Sequence, residues 1–331
     1  MPFKLAVIGC GWVSKTCHGP AYRLAADTYK NIELVACCDT DSVRAEEFRS
    51  LFGFQRAYIS YTEMLDAENP SIVCLNVPPN LTCEIGVEIL QRGYPLLAEK
   101  PPGLQVKDVD QLSKSALEHN AANMVAFNRR HMPLMVELKR QLNEHSFGHI
   151  HYQLSRVGRM NEDFSITAIH AIDSVRFLAG TDYKDILFRY RSHPDLGKNI
   201  VDFHMDCVLA NEITASIDIN PVAGLNVERA TIHGDNRSYL LQCNNGYDAP
   251  GSLKLYEEGK CVVDLNGIEL SGTDKSFVLD GFYDEITTFI HAVRTGVEIK
   301  DNIRSGRQSV EIMSCLRERK AEYKSKNQEI L

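Results

Sequence analysis

Along the first 127 residues, short apolar runs alternate with segments whose apolar residues recur at helical spacing. Five runs are almost entirely apolar, as expected for parallel strands that helices cover on both faces. They span residues 4–8, 33–38, 72–77, 95–98 and 123–127. This alternation is typical of βαβ units, so we expect an α/β domain of the Rossmann type with a doubly wound parallel sheet.

Beyond Phe127 the pattern changes. Strand signals dominate from about residue 150 to residue 265, and apolar and polar residues alternate cleanly within 201–206 and 213–220. A period of two indicates antiparallel strands with one buried face. Helices are predicted over 133–143, over 282–294 and from about 304 to 324. We therefore expect a Rossmann domain over 1–127, followed by an α+β domain over 128–331 with an open, mostly antiparallel sheet.

A glycine-rich loop, Gly9-Cys10-Gly11-Trp12-Val13-Ser14, follows the first apolar run directly. It matches the pattern GxGxx(G/A), with serine in the third place. In such a loop the glycines allow a tight turn and a close approach to a pyrophosphate, and the following helix offers its N–H groups to the anion. We predict that Gly9, Gly11, Trp12 and Val13 bind a dinucleotide cofactor.

Asp39 ends the second apolar run, 30 residues beyond Gly9, where about 20 are expected. A carboxylate at this place accepts hydrogen bonds from the adenosine ribose and repels a 2′-phosphate, which favours NAD over NADP. Asp39 could instead cap a helix that begins near Ser42. Arg44 could still reach a phosphate, so NADP is not excluded.

Composition narrows the class of protein. A formal net charge of −8 argues against a nucleic-acid or anionic-membrane partner, which would favour a basic surface. No apolar run approaches the roughly 18 residues that span a bilayer, and the N-terminal run is too short for a signal peptide. Ten cysteines occur without CxxC spacing, which predicts a reduced, cytoplasmic protein without a zinc site.

Four further motifs occur in a characteristic order: Val77-Pro78-Pro79-Asn80, Glu99-Lys100-Pro101, Phe127-Asn128-Arg129-Arg130 and the segment 170–180. With the glycine loop, they resemble the glucose–fructose oxidoreductase / inositol dehydrogenase / MocA family, most closely its MviM-like branch. The resemblance implies an NAD-dependent oxidoreductase that acts on a secondary alcohol or ketone of a polyol, sugar or similar small polar metabolite. It also places several residues near the cofactor: Pro78, Asn80, Glu99, Lys100 and Asn128.

The resemblance implies two catalytic residues. Lys100 would hydrogen-bond the substrate oxygen and stabilise alkoxide character, and His170 would relay the hydroxyl proton. In the family a carboxylate usually precedes this histidine by one helical turn, but here Ile166 stands in its place. Glu162 or Asp163 could substitute for it.

Other polar residues are candidates for binding substrate. They are Arg129, Arg156, Arg159 and Asn161. An arginine pair would suit a carboxylate or phosphate, although a solvated loop is an equally good interpretation. Cys83 occupies a position where the family has histidine, and we interpret it as packing or pocket lining. His149 and His151 share one strand face without an evident third ligand, so no metal site is predicted.

Two alternative functions remain open at this stage. A dinucleotide-binding regulator without turnover is favoured by Ile166 and Cys83, because both replace residues that the family uses. A hydrolase that uses NAD transiently is the other. The broad sheet face expected around 201–219, together with the resemblance, also implies a homodimer or homotetramer.

Overall fold

The computed structural model describes residues 2–160, 163–197, 199–244 and 250–325. The chain divides into two compact units. The first contains Met1–Asn128 with Gly281–Val310, and the second contains Arg129–Asp280 with Glu311–Leu331. The first division lies within one residue of the predicted boundary. Residues 281–310, which the sequence pattern assigned to the second domain, lie in the first unit.

The described part of the first unit is built on a six-stranded parallel sheet of order β3-β2-β1-β4-β5-β6. Its strands are β1 Phe3–Ile8, β2 Ile32–Cys38, β3 Arg56–Tyr58, β4 Ile72–Leu75, β5 Leu96–Glu99 and β6 Asn123–Ala126. The five predicted strands are all present, and the doubly wound Rossmann fold is confirmed. The short edge strand β3 lies in a segment where no strand was predicted. The strand order reverses between β1 and β4, the place where such sheets bind ligands.

Helices cover both faces of this sheet, as the apolar strands require. They are a π-helical turn Ser14–His18, α1 Gly19–Thr28, α2 Ser42–Phe52, α3 Tyr61–Glu68, α4 Pro79–Gln91 and α5 Val106–Glu118. The helix N-termini follow the carboxyl ends of the strands, so they point their N–H groups towards the same edge of the sheet.

The second unit is built, within its described residues, on a nine-stranded sheet of order β14-β13-β12-β11-β7-β10-β9-β8-β15. The strands are β7 His149–Ser155, β8 Tyr183–Ser192, β9 Val201–Leu209, β10 Thr214–Asn220, β11 Val227–Gly234, β12 Arg237–Gln242, β13 Ser252–Glu257, β14 Lys260–Asn266 and β15 Glu322–Lys324. Among these pairs, β7 and β10 run parallel and the others are antiparallel. The predicted open, mostly antiparallel sheet is therefore confirmed.

One face of this sheet carries the apolar core of the second unit. On β7, Ile150, Tyr152 and Leu154 are buried against the helical layer, whereas His149 and His151 point to the other face and are half-buried. The helices of the unit are α6 Pro133–Leu142, α7 Ser165–Ala179, α8 Gly267–Ser271 and α9 Ser276–Leu279. A buried, two-bonded ion pair between Arg130 and Asp173 of α7 joins the turn before α6 to α7, at 2.7 and 2.8 Å.

Two further α-helices lie in the described residues after α9, and one corrects a sequence prediction. Helix α10, Phe282–Thr295, lies in the first unit and packs along α1. Helix α11, Arg307–Arg317, ends seven residues before the predicted end at 324. The charged segment that follows forms β15 instead, because it finds backbone partners on β8. Among the described residues, no helix combines the length and apolar character that crossing a bilayer requires.

Candidate functional site

The glycine loop begins with a residue that must be glycine. Gly9 has a φ of +96°, and a Cβ placed on it would lie 2.3 Å from the backbone oxygen of Asn76, just beyond β4. Side chains rarely adopt this backbone conformation, and here there is also no room for one. The loop therefore passes directly over the end of β4, at the point where the strand order reverses.

The remainder of the loop leaves space for a ligand. A Cβ on Gly11 would meet no protein atom within 4 Å. Trp12 and Val13 stand at the start of the helix with 73% and 37% of their surface exposed. Ser14 is buried, and its hydroxyl donates to the carbonyl of Gly9 at 2.7 Å. Serine at the third position of the motif is small enough to fit, and its hydroxyl also closes the loop by bonding to Gly9.

Asp39 is tied into this loop. One carboxylate oxygen, Oδ2, accepts the N–H of Cys10 at 2.9 Å, and the other, Oδ1, accepts the N–H of Asp41 at 3.0 Å. Helix α2 is capped by Asp41, whose carboxylate accepts the N–H groups of Val43 and Arg44. The alternative that Asp39 caps this helix is therefore wrong. Asp39 thus bonds to the glycine loop, whereas Asp41, two residues later, caps α2.

Arg44 is the residue that kept NADP binding possible in the sequence. It lies beside the carboxylates of Asp39 and Asp41. Its Nη2 is 3.2 Å from Asp41 Oδ2, and its Nε is 3.9 Å from Asp39 Oδ1. Half of the Arg44 side chain is exposed. An exposed arginine that already has carboxylate partners is a weak competitor for a phosphate.

The other predicted cofactor residues follow the carboxyl ends of the next three strands. Pro78 and Asn80 stand at the start of α4, Glu99 ends β5 with Lys100 directly after it, and Asn128 is buried two residues beyond β6. Parallel strands end at one edge, so the fold gathers these positions along the edge that carries the glycine loop. The peptide bond between Lys100 and Pro101 is cis.

Cys83 points away from that group of residues. Its Sγ contacts the backbone oxygen of Asp108 and the side chain of Gln111, both on α5, at 3.6 Å. It lies between two helices, as the packing interpretation expects.

His18 and Glu99 form a buried contact in the first unit that the sequence pattern did not predict. The imidazole Nε2 of His18 lies 3.1 Å from Glu99 Oε2, and His18 is 1% exposed. His18 stands four residues after buried Ser14 and four before buried Tyr22, so its burial could have been predicted from helical spacing. Its partner, 81 positions away, could not.

The second unit carries a buried polar cluster at one end of its sheet, centred on Glu228 of β11. The Glu228 carboxylate accepts hydrogen bonds from Arg129 at 3.0 and 3.1 Å, from Arg156, and from the hydroxyl of Tyr152 at 2.9 Å. Burial alone would raise the pKa of Glu228, but the two guanidinium groups hold it well below its usual range. Arg129 and Arg156, both predicted to bind substrate, thus share a carboxylate partner inside the protein.

A sequence signal for Glu228 existed. It occupies the buried phase of β11 together with Ala230 and Ile232, where a charged residue requires a partner. Arg156 also donates to the carbonyls of Ser155 and Val227, so much of its hydrogen-bonding capacity serves the ends of the two strands.

Asp280 is the second acid of this cluster. Asn244 donates to its Oδ1 at 3.2 Å. Burial raises the pKa of Asp280 to about 6, although Arg129 acts in the opposite direction. A carboxyl group with a pKa so close to neutrality changes its charge within the range in which most enzymes operate.

His170 is buried in α7, and Ile166 precedes it by one turn. Of the two carboxylates considered as replacements, Asp163 accepts the N–H of Ser165 at its Oδ1 and pairs with Arg317 at 2.7 Å through its Oδ2. Glu162 lies outside the described residues, as does the predicted substrate residue Asn161.

Three further residues singled out in the sequence lie elsewhere in the second unit. Arg159 is exposed in the loop after β7, and its backbone N–H is bonded to the carbonyl of Pro221. His149 and His151 contact neighbours on β10, namely Thr214 and Asp218, both at 2.8 Å.

The residues of the first unit fit a dinucleotide. The open space above Gly11, the helix that starts there and the carboxylate of Asp39 match what a pyrophosphate and an adenosine ribose require. Phosphate oxygens would lie against the backbone N–H groups of the loop, and ribose hydroxyls would donate to Asp39.

The curated proteins that this chain resembles include dehydrogenases of sugars. The chain is 25% identical to D-glucoside 3-dehydrogenase of Escherichia coli K12 over 158 residues, which is 48% of this chain and 44% of that protein. It is 28% identical to D-apiose dehydrogenase of Paraburkholderia graminis over 194 residues, which is 54% of this chain and 50% of that protein. The chain thus spans about half the length of the curated relatives it matches.

Among solved structures, a dehydrogenase (MviM) from Clostridium difficile superposes with a TM-score of 0.83 over 96% of this chain and 100% of that chain, at 17% identity. This likeness shows a shared fold. The family match is confined to the first unit: residues 3–127 match the profile described as "Oxidoreductase family, NAD-binding Rossmann fold". This match over the Rossmann domain agrees with the resemblance to the glucose–fructose oxidoreductase / inositol dehydrogenase / MocA family that the motifs indicated.

Proposed function

We propose that this protein is an NAD-dependent dehydrogenase that oxidises a secondary alcohol, or reduces the matching ketone, of an uncharged sugar or polyol. The observation that carries the proposal is the glycine loop, with open space above Gly11 and the carboxylate of Asp39 tied to the loop backbone. The similarity to proteins named D-glucoside 3-dehydrogenase and D-apiose dehydrogenase supports the substrate class.

The bound cofactor would supply the hydride acceptor or donor. Lys100, directly after β5, would donate a hydrogen bond to the substrate oxygen and stabilise negative charge on it. His170 would take the hydroxyl proton during oxidation and return it during reduction. Because Ile166 replaces the carboxylate that would orient the imidazole, we assign His170 a smaller share of the rate than Lys100.

The polar cluster around Glu228 supports an uncharged substrate. Two arginines and two acids make up its charged side chains, so the four charges balance once Asp280 ionises above pH about 6. The proposed substrate contacts of Arg129, Arg156, Arg159 and Asn161 are then hydrogen bonds to hydroxyl groups. A carboxylate or phosphate would have to compete with Glu228 for the same guanidinium groups.

A regulator that binds NAD without turnover is the second candidate. Ile166 favours it, because Ile166 stands one helical turn before His170, at the position where the family usually has a carboxylate. Turnover separates the two proposals.

We further propose that the protein acts in the cytoplasm. Cys10, Cys37, Cys38, Cys74 and Cys243 are buried in the two cores, where a thiol behaves as a small apolar side chain. Protein thiols of this kind persist in a reducing compartment.

The proposed function predicts turnover of neutral sugars. A panel of polyols, aldoses and glycosides, with NADH absorbance as readout, should contain a substrate. The matching sugar acids should be poorer, because the charges around Glu228 already balance. Turnover of acids alone would contradict the charge argument, and NAD binding without any turnover would favour the regulator.

NAD should bind more tightly than NADP. Trp12 is the single tryptophan of the chain and stands exposed in the glycine loop, so its fluorescence reports on this loop directly. Asp39→Ala should reduce the preference for NAD by roughly tenfold or more, the value of a charge-assisted hydrogen bond. Asp41→Ser, which removes the neighbouring carboxylate but keeps the helix cap, should leave the preference unchanged. Tighter NADP binding by the parent protein would refute the assignment of Asp39.

Lys100→Met keeps an aliphatic chain of similar bulk and removes the charge with all three donors. We expect kcat to fall by about 10²–10³-fold, as for loss of one oxyanion donor, with little change in NAD affinity. Lys107→Met, at an exposed lysine of α5, is the matched control. If the Lys100→Met variant kept the kcat of the parent protein, Lys100 would have no catalytic role.

His170→Ala should lower kcat at neutral pH by about 10²-fold, near the small end of the effect of a general acid or base. The pH profile of kcat should also lose the limb that an imidazole contributes. His291→Ala, at an exposed histidine of α10, should change neither quantity. An unaltered pH profile in His170→Ala would rule out proton relay by this residue.

We propose a homodimer or homotetramer that pairs the open face of the nine-stranded sheet. On that face His151 and His204 both bond to Asp218, and Leu187 is 57% exposed. Light scattering at micromolar concentration should give two or four times the chain mass of 37.2 kDa. Leu187→Glu should shift the protein towards monomer, whereas Leu117→Glu, at an 81% exposed leucine of the first unit, should not. A monomeric parent protein would disprove the assembly.

A further inference from the structure

Asn76 contacts the chain on both sides of the glycine loop. It directly follows β4, and its backbone N–H donates to the carbonyl of Ile8, the last residue of β1, at 2.7 Å. Its own carbonyl lies against Gly9, where a Cβ would approach the oxygen to 2.3 Å. Asn76 thus fixes the point at which the chain leaves β1 and enters the loop.

The side chain of Asn76 contacts the other side of the loop. Its Nδ2 donates to the hydroxyl of Tyr22 at 3.1 Å. Tyr22 lies on α1, the helix to which the glycine loop and its π-helical turn lead, and it is fully buried. Because Asn76 bonds to β1 and to α1, the segment between them is attached at both ends to the turn that follows β4.

The Tyr22 hydroxyl is well suited to hold this amide. Burial raises the pKa of Tyr22 well above its usual value, and the Cys74 thiol adds to the shift, so the hydroxyl keeps its proton at neutral pH. A buried phenol requires a hydrogen-bond partner, and Asn76 provides one. The ring of Tyr22 also stacks on His18, with 5.8 Å between the centroids, which keeps the hydroxyl in place.

The attachment matters because the loop binds its ligand through its backbone. A pyrophosphate is bound by N–H groups whose directions depend on the path of the chain. The bonds of Cys10 to Asp39 and of Ser14 to Gly9 hold the loop internally and against β2, whereas the bond between Asn76 and Tyr22 holds α1 against the turn after β4. A site that is already ordered in the free protein binds its ligand more tightly, because less conformational freedom is lost on binding.

We propose that Tyr22 and Asn76 are positioning residues that together set the affinity for NAD by keeping the glycine loop in its binding conformation. Tyr22 acts through the Asn76 amide, and Asn76 acts through its backbone contacts with Ile8 and Gly9. Neither side chain needs to touch the cofactor. The inference rests on the proposed NAD site, but its first test uses the cofactor-free protein.

The first test measures hydrogen exchange of the backbone amides of residues 9–15 by mass spectrometry of the cofactor-free protein. Tyr22→Phe removes one hydroxyl and keeps the ring that stacks on His18. We expect exchange in this segment to become about 3- to 10-fold faster, the effect of losing one buried hydrogen bond that closes the local structure. Unchanged exchange of residues 9–15 in Tyr22→Phe overturns the proposal.

Tyr94→Phe is the matched control for this measurement. Tyr94 precedes β5 in the same unit, and its hydroxyl donates to the carbonyl of Leu65 and to the side chain of Asn69 at 3.3 and 3.2 Å. This variant also loses a tyrosine hydroxyl, but at the amino end of the strands, away from the glycine loop. Exchange of residues 9–15 should therefore match the parent. An acceleration as large as that in Tyr22→Phe would indicate a general loss of stability, and the proposal would be wrong.

The second test titrates NAD with Trp12 fluorescence as the readout. Tyr22→Phe and Asn76→Ala should each weaken NAD binding by about 3- to 10-fold, because both remove the same hydrogen bond. The double variant should bind NAD no more weakly than the weaker single variant, since residues that act through one contact are not additive. Losses that multiply in the double variant, or parent affinity in both single variants, would refute the proposal.

Turnover separates positioning of the cofactor from an effect on the chemical step. At saturating NAD, kcat of Tyr22→Phe should stay within about twofold of the parent while KM for NAD rises, and an equal fall in kcat would contradict the proposal. If Asn76→Ala does not fold, Asn76→Ser, whose hydroxyl is too short to reach Tyr22, takes its place. If the parent protein turns over nothing, the proposed dehydrogenase function fails, but the exchange rates and NAD affinities still decide the roles of Tyr22 and Asn76.

Discussion

The first unit depends on one close approach, between residue 9 and the backbone carbonyl of Asn76. Because Gly9 has no side chain, the backbone after β1 can pass directly over the turn that follows β4. These two strands are neighbours at the reversal of strand order, where doubly wound sheets open a crevice. The hydroxyl of Ser14 and the carboxylate of Asp39 both bond to the backbone that this approach places, so the dinucleotide site follows from the path of the chain at Gly9.

The second unit depends in a comparable way on one buried charge, the carboxylate of Glu228. Glu228 is buried on the apolar face of a strand, and it is tolerated there because two guanidinium groups and a phenol satisfy its oxygens. Removing Glu228 would take away the carboxylate that both guanidinium groups share. An end of a sheet organised in this way has a fixed set of polar groups, which suits the recognition of hydroxyls at defined positions.

Local patterns were enough to predict the strands of the first unit, the sheet type of the second and the glycine loop. They were not enough where the partner lies far along the chain. The segment that forms β15 has a helical composition and becomes a strand only because β8 offers it an edge. Asp39 and Asp41 are equivalent by residue type, and only the path of the backbone decides which caps α2. The contact of His18 with Glu99 joins residues 81 positions apart, which periodicity does not encode.

Residues 281–310 belong to the first unit, so the cofactor-binding unit is encoded by two separate stretches of the chain. The family's Rossmann profile ends at residue 127, yet α1 packs on α10, where Phe282 meets His18. A gene fragment that encodes only the N-terminal segment would leave the apolar side of α1 in water. An exchange of the cofactor unit of this chain by recombination would therefore have to carry two separated stretches of coding sequence.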